Sequence, residues 1–114
     1  MDEQRRIPRR RLAVYPEVVE IGSGETIGRL GDLTATGLMV VSDEAIETGV
    51  VLDLSIRLPE PLAGVTSIDF EARSLWSKAG ANARVHETGF EFTRLSDGDR
   101  RNVSRLIMSY GLSR

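Results

Sequence analysis

Strict alternation of apolar and polar residues marks positions 50–58 as the clearest pattern in the chain. Every second position is apolar, which is typical of a half-buried β-strand. Pro59 and Pro61 break the alternation, because proline has no N–H for a strand ladder. We therefore expect the strand to end at Leu58 and a loop to follow, closed by Gly64.

Two further strands are expected after this loop. Apolar residues between 66 and 78 predict a long strand, and the change of their phase between Ala72 and Leu75 predicts a bulge or bend. A turn at residues 80–82 leads to another strand at 84–93, in which two phenylalanines face the same way.

The first half of the chain has shorter strand signals separated by glycine-rich or polar segments. The expected strands are residues 11–22, about 25–30 and 38–41. Pro16 makes the start of the first of these strands irregular. The expected turns and loops are residues 22–24, 31–37 and 43–49, the last with at most one helical turn.

The C-terminal segment follows a helical pattern instead. Ser96, followed three residues later by Asp99, has the spacing of a helix N-terminal capping box. Apolar residues then recur on one helix face, at Val103, Leu106, Ile107 and Tyr110. Gly111 stands where a C-terminal cap would end the helix. We expect one amphipathic helix over about residues 96–110.

These signals together predict a mainly β fold, an antiparallel β-barrel of five to six strands with one C-terminal amphipathic α-helix. A chain of 114 residues is sufficient for one domain. We expect residues 1–10 to form a flexible arginine-rich arm and residues 11–114 to form the barrel with its helix.

Composition narrows the cellular setting. The chain has no cysteine, which excludes disulfides and cysteine-ligated zinc. No apolar run approaches the roughly 18 residues that span a bilayer, and the N-terminus lacks the apolar stretch of a signal peptide. We therefore expect a cytoplasmic protein with no membrane partner.

The net charge of −2 hides a strong asymmetry. Residues 1–11 carry five arginines against Asp2 and Glu3, which leaves this segment at +3. The rest of the chain has 10 basic and 15 acidic residues, a balance of −5. A nucleic-acid-binding domain normally spreads positive charge over its folded face. We therefore expect no nucleic-acid partner, and the arm suits a compact anionic ligand.

Catalytic and metal-binding constellations are missing from the sequence. His86 is the single histidine. A metal site with two histidine ligands is therefore excluded, and so is a histidine-based catalytic triad with a further histidine left as a ligand. We interpret it as an ordinary surface or half-buried residue. We expect a binding module that has no cofactor and is not an enzyme.

Two short motifs carry the functional signal. The first is the arginine cluster, in which Arg5 and Arg9, or Arg6 and Arg10 one residue later, are spaced as RxxxR. Taken alone, it is typical of a solvated basic tail. About 20 residues later comes a turn-like segment from Asp32 to Gly37, with the sequence Asp-Leu-Thr-Ala-Thr-Gly.

Taken alone, the second motif is typical of a tight connection between strands. Asp32 and Thr34 would hydrogen-bond to the local backbone, and Gly37 would supply a positive φ.

In combination, the two motifs resemble those of the PilZ domain family. Its RxxxR pair precedes a D/NxSxxG turn and then a β-barrel that ends in a helix. The second motif is met by Asp32, Thr34 and Gly37, with threonine where the family usually has serine. Segments 72–76 and 87–92 are similar to late strands of the family. The resemblance covers the chain from about Arg5 to Tyr110.

The resemblance implies a non-catalytic receptor for the second messenger cyclic di-GMP. Arginines of either register would bind guanine O6 and N7 or a phosphate. Asp32 would accept from a guanine, Thr34 would supply a hydroxyl with an added methyl group, and Gly37 would let a purine approach the backbone. Trp76 would stack beside a guanine, or alternatively belong to the core.

The resemblance also implies a signalling mechanism. The arm would become ordered on the barrel when the ligand binds, and its new position would be read by a downstream protein partner. The alternative within the same fold is a protein-interaction adaptor that binds no nucleotide. A third alternative, a nucleic-acid binder that uses the arm, is disfavoured by the acidic body.

Overall fold

The computed structural model of the chain describes residues 15–80 and 84–110. Within these two ranges there are six strands and one helix. They are β1 (Glu17–Glu20), β2 (Thr26–Leu33), β3 (Gly37–Ser42), β4 (Val51–Leu62), β5 (Val65–Ala79), β6 (His86–Arg94) and α1 (Asp97–Tyr110). The expected arm at residues 1–10, the cap at Gly111 and most of the expected turn at 80–82 lie outside the described residues.

The six strands form a closed antiparallel barrel in the order β1-β2-β3-β6-β5-β4. Antiparallel pairing of β1 with β4 closes it, with Val18 opposite Ile56. The predicted barrel with a C-terminal helix is confirmed, and the number of strands is six.

The barrel interior is filled by alternate residues of the strands, as the period-two pattern requires. Its buried members are Val18, Leu30, Leu33, Leu38, Val40, Leu54, Ile56, Ile68, Phe70, Ala72 and Phe90, with Val103 and Leu106 from the helix. Phe92 is partly buried beside them and meets Phe70 edge-on at 5.0 Å between ring centroids. Both phenylalanines of β6 therefore contact the core, as expected.

Helix α1 packs on the barrel beside β5 through the apolar face that the sequence predicts. Its first turn is capped by Ser96, whose Oγ accepts from the Asp99 backbone N–H at 3.0 Å. Met108, on the opposite face, is 83% exposed. Within the described residues, no helix is both long and apolar enough to cross a membrane.

The expected end of β4 at Leu58 was wrong. The strand continues to Leu62, and the hairpin to β5 turns at Ala63 and Gly64. Its pairing with β5 is interrupted between Arg57 and Leu62, so the two prolines lie where the ladder is broken and their missing N–H groups cost no pairing.

Loop 43–50 closes the end of the barrel next to β3 and contains no helical turn. Ile46 packs against the core, and Ser74 of β5 anchors the loop by donating from its hydroxyl to the Glu47 carbonyl at 2.7 Å. The bulge expected in β5 is confirmed, because its register with β6 shifts between Ser74 and Trp76.

Candidate functional site

The turn between β2 and β3 is shorter than expected, because β2 runs on to Leu33 and leaves only residues 34–36 outside the strands. The Thr34 hydroxyl oxygen accepts from the N–H groups of Thr36 at 3.3 Å and Gly37 at 3.2 Å. The Thr34 N–H donates to the Gly37 carbonyl at 2.9 Å, and the Phe92 N–H donates to the Thr36 carbonyl, also at 2.9 Å. Thr34 therefore organises the turn, and β6 holds it in place.

Gly37 is required for a reason that differs from the expected one. Its φ is not positive; the described glycines with positive φ are Gly24, Gly49 and Gly64. A Cβ on Gly37 would instead overlap the carbonyl oxygen of Phe90 in β6. The expectation of a positive φ was wrong, and the glycine is needed because β3 and β6 approach closely here.

A bulge in β2 places Asp32 beside β3. Leu30 pairs with Val40 and Asp32 pairs with Met39, so Gly31 is the extra residue. One carboxylate oxygen of Asp32, Oδ1, accepts from the Leu33 N–H at 2.9 Å. Its Oδ2 has no hydrogen-bonding partner within residues 15–80 and 84–110. Among the described residues, no donor therefore competes with a ligand for this oxygen of Asp32.

The pairing register aligns Asp32 with one residue on each of three further strands. Met39 pairs with Gly89 of β6, and Gly89 pairs with Trp76 of β5. Asp32, Met39, Gly89 and Trp76, called the outer row below, therefore lie side by side. They are on the outside of the barrel, because the neighbours of Met39 along β3 are buried in the core. At about 4.8 Å between strands, the row spans roughly 14 Å.

Trp76 lies flat on the outer row. Its side chain covers Gly89, where any Cβ would overlap the indole, and 43% of the residue remains exposed. Lys78 Nζ lies 5.6 Å from the centroid of the ring. The alternative that Trp76 belongs to the core was therefore wrong, because the residue is on the outer surface of the barrel.

A groove of about 950 Å³ adjoins the outer row on the same side of the barrel. It is lined by residues 25–31 and 41–46, together with Tyr15 and Met39. Met39 belongs to both regions, whereas Asp32, Thr34, Gly37 and Trp76 do not line the groove.

Three exposed carboxylates dominate the charge of this groove, those of Glu25, Asp43 and Glu44. None of them forms an ion pair within the described part of the chain. Arg29, the one cation among the described lining residues, already pairs with Glu17 at 3.9 Å. This region is called the acidic groove below.

Comparison with known proteins identifies the family. The model of the PilZ domain family matches residues 3–109. The chain belongs to the PilZ domain family. A search of curated proteins finds no match for this PilZ domain.

Two solved structures share its fold. The Bacillus subtilis inhibitor of motility, MotI/DgrA, superimposes with a TM-score of 0.68 at 22% identity, over 87% of this chain and 47% of that one. The chain thus spans about half the length of MotI. The PilZ domain of YcgR from Escherichia coli, solved with c-di-GMP, superimposes with a TM-score of 0.61 at 16% identity. That match covers 84% of this chain and 82% of the YcgR chain.

The arginines expected to bind ligand in this PilZ domain lie outside the described residues. They are Arg5, Arg6, Arg9 and Arg10. The described chain begins at Tyr15, whose carbonyl accepts from Arg29 Nη1 at 3.3 Å, and the next carbonyl, of Pro16, accepts from the Leu30 N–H at 2.8 Å. The segment that carries the arginines is therefore joined to the barrel beside the bulge that presents Asp32.

Sequence reasoning missed three residues of the outer face, namely Gly31, Met39 and Gly89. Glycine inside a strand often marks a bulge or a close approach, and this signal could have identified Gly31 and Gly89. Nothing in the local sequence distinguishes Met39 from an ordinary strand residue.

The described residues of this PilZ domain contain no group of three or more acidic, histidine or cysteine side chains placed to hold a metal ion. His86 is half-buried at the start of β6, opposite Ser42 and Ala79, as expected for an ordinary strand residue.

Proposed function

We propose that this PilZ domain is a receptor for cyclic di-GMP, which binds between the outer row and the arginine-rich N-terminal segment. The observation that carries the proposal is the outer row itself. The pairing of four strands brings Asp32 and Trp76 onto one surface, although they are far apart in the sequence. The presence of c-di-GMP in the YcgR structure supports the choice of ligand.

The chemistry of the outer row suits a guanine base. The Asp32 Oδ2, which has no hydrogen-bonding partner among the described residues, can accept from the guanine N1–H or its exocyclic amine. Trp76 is 43% exposed, and stacking of one base on an aromatic side chain is worth about 1–3 kcal/mol. Arginine would complete the site by donating to guanine O6 and N7 or to a phosphate.

The length of the chain allows either arginine register to reach the site. Arg9 precedes Tyr15 by six residues, a span of at most about 20 Å when extended. Arg5 precedes it by ten residues, or at most about 35 Å. Both spans exceed the roughly 14 Å width of the outer row. Chain length therefore permits the pair Arg5/Arg9 as well as the pair Arg6/Arg10, and substitution of single arginines distinguishes the two registers.

The N-terminal segment would transmit the signal to a downstream protein. Charge-assisted contacts with the two phosphates and two guanines would hold the arginines against the barrel, and the cost of ordering would lower the net affinity. The new position of the segment is the feature that a downstream protein would recognise.

Isothermal titration with cyclic di-GMP tests the proposal, with GTP and cyclic AMP as control ligands. Replacing Arg9 or Asp32 by alanine should each weaken binding by about 2 kcal/mol, close to thirtyfold, because each removes a charge-assisted contact. Arg10→Ala tests the shifted register in the same assay. Unchanged affinity in both Arg9→Ala and Asp32→Ala would reject the proposed site.

A second candidate function is a protein-interaction adaptor that binds no nucleotide. The state of Thr34 favours it, because its hydroxyl oxygen already accepts from two backbone N–H groups of its own turn. A folded protein that releases no heat on titration with cyclic di-GMP would support the adaptor over the receptor.

A further inference from the structure

The acidic groove is built for a different occupant from the outer row. Cyclic di-GMP carries two phosphates, whereas the groove presents the carboxylates of Glu25, Asp43 and Glu44. Arg29, the one arginine among its described lining residues, is already paired to Glu17. Like charges brought together at a binding surface oppose association. The groove therefore favours a cationic occupant.

We propose that the acidic groove holds the arginine-rich N-terminal segment of the same chain when no nucleotide is bound. The inference rests on the proposed function in one respect, since it supplies the state from which the ligand displaces the segment. Residues 1–11 carry a net charge of +3, which complements the groove.

The attachment point supports an intramolecular occupant. Tyr15, where the described chain begins, itself lines the groove. The groove extends along β2 from Gly31 to Glu25, roughly 20 Å. The 14 residues before Tyr15 can span at most about 50 Å, so their arginines reach the far rim without strain.

The floor of the groove suits the centre of this segment. Ile27, Val41 and Ile46 line it and are each only partly buried. Ile7 and Pro8 stand between the two arginine pairs and would place apolar surface against that floor while the arginines face the rim.

Competition between the two sites follows from this placement. An arginine that pairs with Asp43 or Glu44 is not available to a phosphate or a guanine, so each occupant lowers the affinity of the other by the same factor. Weakening the groove should therefore raise the affinity for cyclic di-GMP.

Paramagnetic relaxation in the full chain tests where the segment binds. The chain has no cysteine, so Gln4→Cys takes a single nitroxide label. Without nucleotide, we expect the label to broaden the amide signals of Ile27, Val41 and Ile46. Broadening should fall when cyclic di-GMP is added. Absence of broadening at these amides would overturn the proposal.

Charge variants test the chemistry of the groove. Asp43→Asn with Glu44→Gln should reduce the broadening, whereas Asp53→Asn with Glu60→Gln, which removes the same charge outside the groove, should not. Equal broadening in the two variants would overturn the proposal. Broadening from a labelled chain onto a separate unlabelled chain would assign the groove to a second copy instead.

Nucleotide affinity separates this proposal from the receptor function. The groove variant should bind cyclic di-GMP about three- to fivefold more tightly, because exposed ion pairs contribute up to about 1 kcal/mol each. The control variant should match the unaltered protein. Nucleotide binding without groove broadening rejects the groove alone, and groove broadening without nucleotide binding rejects the receptor alone.

Discussion

The outer row and the acidic groove are neighbours that share Met39, yet their chemistry differs. The row has the carboxylate of Asp32 at one end and the exposed side chain of Trp76 at the other, groups suited to the edges and faces of guanine bases. The groove surrounds partly buried aliphatic side chains with three carboxylates. The two adjacent surfaces therefore suit different occupants, an aromatic base on the row and a cationic segment in the groove.

Local backbone geometry produces this difference. The extra residue Gly31 in β2 brings Asp32 opposite Met39, and a Cβ on Gly31 would lie 2.9 Å from the Met39 Cε. The Met39 side chain thus rests over the bulge and forms the boundary between the two regions. The bulge residue Gly31 thus separates the carboxylate of Asp32, which lies on the outer row, from the carboxylates of the acidic groove.

Disrupting the close approach of β3 and β6 at the turn next to the outer row should have the largest effect on the protein. In Gly37→Ala, the new methyl group meets the backbone oxygen of Phe90, so β3 and β6 must move apart. We expect a loss of about 2–3 kcal/mol in the free energy of unfolding, measured by urea denaturation.

Gly22→Ala is the matched control, since a Cβ there has no neighbouring atom within 4 Å. Its free energy of unfolding should stay within about 0.5 kcal/mol of the unaltered protein. Equal stability of the two variants would contradict the close approach of β3 and β6.

Removing the stacking surface should have an intermediate effect that is confined to the row. Trp76→Ala should weaken binding of cyclic di-GMP about tenfold, because one base loses its aromatic partner. Broadening of groove amides by the nitroxide label should be unchanged. Leu75→Ala, at the exposed residue next to Trp76, is the control and should leave the affinity unaltered.

The smallest effect is expected at Thr34. Thr34→Ser keeps the hydroxyl that closes the turn and removes the methyl group that threonine adds. We expect the affinity for cyclic di-GMP to rise by no more than about threefold in calorimetry. Thr36→Ser is the control. If Thr34→Ser instead lowers the affinity for cyclic di-GMP, the methyl group contributes to binding.

Local patterns were sufficient to predict much of the fold. The alternation at 50–58 predicts β4, the phase change before Leu75 predicts the bulge in β5, and Ser96 predicts the start of α1. Pro59 and Pro61 were misleading, because a proline ends a strand only where its N–H would have been paired, and β4 is unpaired there.

The candidate site was less accessible to sequence reasoning. Thr34 and Asp32 were found from a local motif, and their bonds to neighbouring N–H groups are local as well. The juxtaposition of Asp32 with Trp76 depends on two bulges and on the register of four strands, which no short segment encodes. The binding roles of the four arginines stay a prediction.

The pairing of β1 with β4 also restricts how other molecules can recognise the barrel. Because the sheet closes on itself, each described strand has a hydrogen-bonded neighbour on both sides. Among the described strands, the open backbone that a partner could extend is therefore restricted to strand ends that run past a neighbour, such as residues 76–79 of β5, which pair with β6 but not with β4. Along the rest of the barrel, recognition relies on side chains of the curved surface, and the same closure limits edge-to-edge aggregation.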